Sequence, residues 1–232
     1  PPADNCVQAT VTVTVVAGPT AVADAGQTTQ NHPVTVDVVG NDSAGNAPLD
    51  PTTVTVVTPA GDIPGTVTVD PATGAITFVP AADFVGTTDQ VCDTSGSCGT
   101  GTLTVTVAGP PTAVDDVAQT SAGVAVRIDV LANDAASDAT IAQAQLNPGS
   151  VRVVAGPAAN EGTVLVDSAT GAITFVPAAG FTGVSVFRYE VCNESRTSVP
   201  PAANCVQATV TVTVVAGPTA VADAGQTTQN HP

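Results

Sequence analysis

Apolar and polar positions alternate along this chain with a period of two. Residues 205–215 read Cys-Val-Gln-Ala-Thr-Val-Thr-Val-Thr-Val-Val, and residues 102–107 read Thr-Leu-Thr-Val-Thr-Val. That rhythm puts valine on one side of a strand and threonine on the other, one side for a core and one for solvent. Short runs of this kind recur between Gly, Pro, Asn and Asp clusters, at the spacing of a β-sandwich. Over residues 113–215 the pattern predicts seven strands, near 113–120, 124–131, 150–155, 162–167, 171–176, 184–192 and 205–215. Asp167-Ser-Ala-Thr-Gly171 reads as a tight hairpin turn with Gly171 free to adopt positive φ. Phe175 and Phe181 are the expected core anchors, with Phe187 and Tyr189 in the sixth strand. Helical periodicity is missing; the nearest stretch, Thr140–Leu146, has room for two turns at most. The fold class is all-β.

The chain also repeats itself. Residues 200–232 match residues 1–33 at an offset of 199, and the only difference is Ala203 against Asp4. A looser repeat lies inside that period. Val36-Asp-Val-Val-Gly-Asn-Asp42 answers Ile128-Asp-Val-Leu-Ala-Asn-Asp134, and Ala72–Ala82 equals Ala169–Ala179 residue for residue. Self-similarity at a fixed period is the mark of a tandem array. We therefore expect a window cut from a longer periodic chain. Its divisions are 1–18, the last strand of a truncated preceding repeat; 19–109 and 110–217, two sandwich domains; and 218–232, the first strand of the next repeat. The first domain's sixth strand is shorter (Gly86 to Cys92 against Gly183 to Cys192) and carries neither aromatic, so that domain should be the less stable.

Composition narrows the partners. Twenty acids face four Arg, Lys is absent, and the formal charge is −16. Such a surface repels nucleic acid and anionic membrane, both of which need cationic contacts. No apolar run reaches the roughly 18 residues of a membrane span, so no membrane insertion is expected from this segment. Without Lys there can be no Lys–Asn isopeptide staple.

The segment Gly-Ala-Ile-Thr-Phe-x-Pro-Ala-Ala-x-Phe-x-Gly occurs at 74–86 and again at 171–183. Around it stand Ala-Val-x-Asp, Val-x-x-Asn-Asp, Val-Cys and a closing Thr-Val-Thr-Val. This pattern resembles the bacterial Ig-like, cadherin-like tandem repeats of giant surface adhesins and fibres, over essentially the whole chain. The resemblance implies Greek-key β-sandwich domains of about seven strands, arranged as a rod. It implies an exported, extracellular structural role at a bacterial cell surface. Neighbouring repeats of the same protein would be the partners, with lateral or end-to-end self-association.

Cys92 and Cys98 fall at the end of strand six and the start of strand seven, and Cys192 and Cys205 take the same places in the second domain. The expected disulfides are Cys92–Cys98 and Cys192–Cys205, which call for an oxidising compartment. Cys6 corresponds to Cys205, so its partner would lie in a preceding unit. A zinc site is the rival reading, but the first pair has five intervening residues and no nearby His.

Acids gather at strand ends: Asp24, Asp37 and Asp42 in one domain, and Asp115, Asp116, Asp129, Asp134 and Asp138 in the other. Asp115, Asp116, Asp134 and Asp138 are candidate calcium ligands, because calcium takes six to eight oxygens. No Asp-x-Asp-x-Asp loop accompanies them. The plainer reading makes Asn41-Asp42 and Asn133-Asp134 turn residues that cap their own backbone. No other cofactor is expected. His32 and His231 are one repeat position seen twice, and no nucleophile, phosphate-loop or zinc-protease motif is present, so no enzyme is expected. The expected function is a structural repeat of a long extracellular fibre or adhesin stalk. The alternative is an adhesive module that holds calcium or glycans at domain junctions.

Overall fold

A computed structural model describes residues 9–12, 18–45, 48–56, 63–82, 84, 86–91, 99–193 and 204–217. The chain divides into two units, Pro1–Ala108 and Gly109–Pro232. Among the described residues, no helix is long and apolar enough to cross a membrane.

The second unit contains all seven expected strands. They are β7 (Asp116–Ser121), β8 (Val126–Ile128), β9 (Asn147–Ala155), β10 (Gly162–Val166), β11 (Ile173–Pro177), β12 (Gly183–Cys192) and β13 (Cys205–Val215). One sheet has the order β7-β13-β12-β9 and the other β10-β11-β8. The chain changes sheets between β7 and β8, between β8 and β9, between β9 and β10, and between β11 and β12. That makes a Greek-key sandwich in which the first strand runs parallel to the last. Thr140–Leu146 supplies a single 3-10 turn, Ala142–Ala144.

The two-residue rhythm decides which side is core. Along β13, Ala208, Val210, Val212 and Val214 are buried, while Thr209, Thr211 and Thr213 turn outward. Along β12, Ser185, Phe187, Tyr189 and Val191 point in. Phe175 stacks on Phe187 with ring centroids 6.3 Å apart. Ile128, Val130, Val151 and Ile173 complete this core, and Phe181 packs against its margin.

The expected first strand started too early. Residues 113–115 leave the sheet because the Val114 N–H donates to the Asp134 carboxylate rather than to a neighbouring strand. β8 stops at Ile128 because Asp129 opens a turn closed by the Ala132 N–H. At the β10–β11 turn, the Gly171 N–H donates to the Asp167 carbonyl and its φ is +75°. A Cβ there would also press on Leu131 and Val151. Both the backbone and the packing thus require glycine.

The first unit repeats this plan with six strands among the described residues. They are β1 (Asp24–Thr29), β2 (Val34–Val36), β3 (Gly65–Val69), β4 (Ile76–Pro80), β5 (Gly86–Val91) and β6 (Thr102–Ala108). Their sheets are β1-β6-β5 and β2-β4-β3, again with the first strand parallel to the last. The counterpart of β9 by sequence is 50–58, where Pro51–Thr53 forms a 3-10 turn and 54–56 lie in no strand; 57 and 58 are outside the described residues. Val38, Val54, Ile76, Phe78, Leu103, Val105 and Val107 form the core. This core holds one fully buried aromatic ring where the second unit holds Phe175, Phe187 and Tyr189.

Candidate functional site

Each unit carries a carboxylate pair where its first strand begins. In the second unit, Asp116 opens β7, and Asp134 lies in the loop after β8. β7 runs parallel to β13, with Asp116 opposite Val210, so the Asp116 carboxylate sits at the margin of the core. Asp134 Oδ1 accepts the Val114 N–H at 2.8 Å, and this bond brings the loop to the strand. The Asn133 amide donates to the Val114 and Asp115 carbonyls at 3.3 Å each, holding the same junction from the other side.

Tyr189 closes the site from below. It is fully buried on β12, and its hydroxyl lies 2.9 Å from Asp134 Oδ2 and 2.9 Å from the Val130 carbonyl. A phenol has one proton to give. The Val130 carbonyl and the Asp134 carboxylate therefore share it. Asp116 Oδ2 is buried and has no hydrogen-bond partner.

These carboxylates hold protons more tightly than usual. Burial pushes Asp116 up to about 6, and the charge of Asp134 adds to it; Tyr189 and Asn133 oppose the shift, and Asp115 adds a little more. Burial also raises Asp134, against the Val114 N–H and the Tyr189 hydroxyl. Tyr189 is raised by its burial and by the two carboxylates, so it stays a phenol.

The first unit has the same frame without the phenol. The Val22 N–H donates to Asp42 Oδ1 at 2.8 Å, and the Asn41 amide reaches the Ala23 carbonyl at 3.4 Å. Asp24 is raised by burial and by Asp42, which Asn41 partly offsets. Tyr189 is the chain's only tyrosine, and Asp42 Oδ2 is left buried without a hydrogen bond.

Of the four candidate calcium ligands, Asp116 and Asp134 come together. Asp115 is exposed, and its Oδ1 accepts the Thr209 N–H of β13 at 2.7 Å. Asp138 caps its own turn, accepting from the Thr140 N–H and hydroxyl at 2.8 and 2.6 Å. These bonds hold Asp138 below the usual carboxylate range. Two carboxylates and a phenol fall well short of a calcium shell. Among the described residues, one trio of potential ligand atoms lies within 4.8 Å of each other: Glu190, Cys192 and Cys205. Its two sulfurs are bonded to each other, so it is no metal site.

Cys192 and Cys205 form a disulfide across the first pair of the β12–β13 ladder, with Cα atoms 4.0 Å apart. The Ser150 hydroxyl accepts the Cys192 N–H at 2.9 Å and buttresses this end of the sheet. Cys92, Cys98 and Cys6 lie outside the described residues. Asp37 Oδ1 accepts from the Val39 and Gly40 N–H groups, the turn-capping role expected of such a residue. Sequence reasoning placed Tyr189 in the core but missed its hydroxyl. The signal was present, since a buried phenol needs a polar partner.

A family model described as bacterial Ig domain matches residues 17–106 and 108–215. No curated protein sequence matches the chain. The human desmocollin-1 ectodomain is similar at 17% identity and TM-score 0.38, over 85% of this chain and 42% of that one. The EC1-2 fragment of human mucin-like protocadherin is similar at 14% identity and TM-score 0.36, over 86% and 98%. A SusE-like surface located polysaccharide binding protein from Bacteroides thetaiotaomicron is similar at 15% identity and TM-score 0.29, over 87% and 34%. The chain thus spans less than half the length of the first and third. With two successive matches over most of its length, the chain belongs to the bacterial Ig domain family.

Proposed function

We propose that this chain is a structural repeat of a long extracellular bacterial surface fibre or adhesin stalk, one that extends a binding tip or forms a filament. One observation carries the reading: two bacterial Ig domains are followed by a near-exact restart of the sequence after 199 residues. Near-identity between successive copies gives every period the same surface, which a regular fibre requires. The buried Cys192–Cys205 disulfide fits an oxidising, extracytoplasmic setting. Neighbouring repeats are then the principal partners, and the role is mechanical.

The test is the mass of the native polypeptide, denatured and reduced, followed by limited proteolysis. A mass many times that of 232 residues, with a ladder stepped by 199 residues, is the expected result. A polypeptide of one or two periods and no ladder would sink the covalent stalk.

A further inference from the structure

Twenty acids against four arginines make this chain repel a second copy of itself. One side of the second unit is an exception. On the outward side of the sheet β7-β13-β12-β9, Val117 of β7 stands beside Thr211 of β13, and Thr211 beside Val186 of β12. Val117 is 85% exposed and Val186 49%. The next row, toward the start of β12, holds Gln119, Thr213 and the exposed Val184. A shallow groove of about 310 Å³ there is lined by Val117, Ala118, Gln119 and Thr213. The row on the other side sets Arg188 beside Thr209, whose N–H donates to Asp115 Oδ1 at 2.7 Å. Arg188 is exposed and has no ion pair or side-chain hydrogen bond among the described residues. Glu190, further along β12, is already matched by Arg152 at 3.2 Å. These two acids and two arginines sum to zero in a chain of net charge −16.

The first unit does not share the pattern. Thr104 answers Thr211, and its ladder neighbours are Ala25 and Asp89. Thr102 answers Thr209; its β5 neighbour is Val91, and Ala23 takes the place of Asp115. The fold therefore requires neither valine at 117 and 186 nor opposite charges at 115 and 188.

We propose that this side of the second unit is the surface on which two copies of the chain pair, about a two-fold axis running along β13. Such an axis exchanges β7 with β12 and keeps every row in place. It sets Val117 against Val186 of the other copy, and Arg188 against Asp115, each contact made twice. Val184 meets the groove beside Gln119. An axis across the strands would set Arg188 against Val184 and Asp115 against Gln119, leaving both charges unmatched. Charge complementarity thus selects the first arrangement, with sheets about 10 Å apart and strands within about 30° of each other.

Within the stalk reading, this is the surface by which neighbouring stalks lie side by side; the pairing itself needs only the folded second unit. Three strands by six residues cover roughly 200–300 Å² on each copy, against about 800 Å² in a stable complex. A single unit therefore pairs weakly, with a Kd on the order of 1 mM. Repetition of the same surface along a tandem chain multiplies that affinity.

The test is sedimentation equilibrium of the full chain at about 1 mM, in about 0.15 M salt to screen the net repulsion. A Kd of about 1 mM gives a weight-average mass about 1.5 times that of the monomer. Arg188→Asp turns both ion pairs into repulsions and should raise Kd about tenfold, lowering that ratio to about 1.1. An equimolar mixture of Arg188→Asp and Asp115→Arg chains should recover to about 1.4, because opposite charges again meet across the axis. Asp115→Arg also removes the acceptor of the Thr209 N–H. Val117→Lys chains mixed with Val186→Asp chains therefore repeat the test at two exposed positions, and this mixture too should outweigh either component alone. An unsubstituted chain that stays monomeric, or mixtures no heavier than their components, would overturn the pairing. A monomeric chain removes the pairing and leaves the stalk, whereas a native polypeptide of one or two periods removes the stalk and leaves the pairing.

Discussion

Asp116→Asn removes one charge from the buried pair and keeps the shape of the side chain. In the folded chain Asp116 is raised from 3.8 to about 6. A raised carboxylate binds its proton more tightly folded than unfolded, so ionising it costs stability. That cost is complete above the folded value, shrinks as pH falls through it, and vanishes below the unfolded value. A shift of about 2 units is worth about 3 kcal/mol at most. Asp134 is only partly buried and water screens the pair, so about half of that is the realistic effect. The variant should therefore stabilise the second unit by about 1–2 kcal/mol at about pH 7.5 and leave it unchanged at about pH 3. Tyr189 is the only tyrosine and there is no tryptophan, so intrinsic fluorescence in a urea titration follows the second unit alone. A loss of stability of equal size at both pH values would refute the reasoning. Asp116 would then be a hydrogen-bonding group rather than a buried charge.

Replacing Cys192 and Cys205 together by Ala opens a loop of fourteen residues and should cost about 3 kcal/mol, read as a lower urea midpoint. Tyr189→Phe strands the Val130 carbonyl and the Asp134 carboxylate and should cost about 1–3 kcal/mol, followed by circular dichroism because the fluorophore is lost. Gly171→Ala must carry both the positive φ and the contact with Leu131, whereas Gly123→Ala carries only the φ because its surroundings are open. The first should cost about 2 kcal/mol and the second about 1 kcal/mol, and equal melting temperatures for the two would show that packing at Gly171 is slack. Millimolar calcium should raise the melting temperature no more than magnesium at equal ionic strength; a larger calcium effect would mean that Asp116 and Asp134 gather further ligands.

The fold was legible because its strands are half-buried. Where one face must be core and the other solvent, a two-residue rhythm fixes both the element and its register, as in β12 and β13. Strand limits were less legible where a side chain takes the place of a ladder partner. Residues 113–115 have strand-like sequence, yet Asp134 claims the Val114 N–H, and β7 starts only at Asp116. No local pattern reveals that bond, because its partners stand twenty positions apart.

The candidate site was half legible for the same reason. Asn133-Asp134 reads as a turn, and it is one: the Asp134 N–H closes onto the Leu131 carbonyl. Its carboxylate does a second job that depends on β12 lying beneath it. The two units show what that second job is worth. Both keep the Asp–Asn–Asp frame, so the frame itself serves the turn and the entry into the first strand. Only the second unit places a phenol under it, and only there is the outer oxygen of the second aspartate satisfied. Asp42 stands over a core with fewer rings, and its outer oxygen has no such partner. The first unit thus holds one fully buried ring in its core against three in the second. It should unfold before the second unit, with Tyr189 fluorescence unchanged while circular dichroism has already begun to fall. A single transition seen identically by both probes would show that the two units melt together.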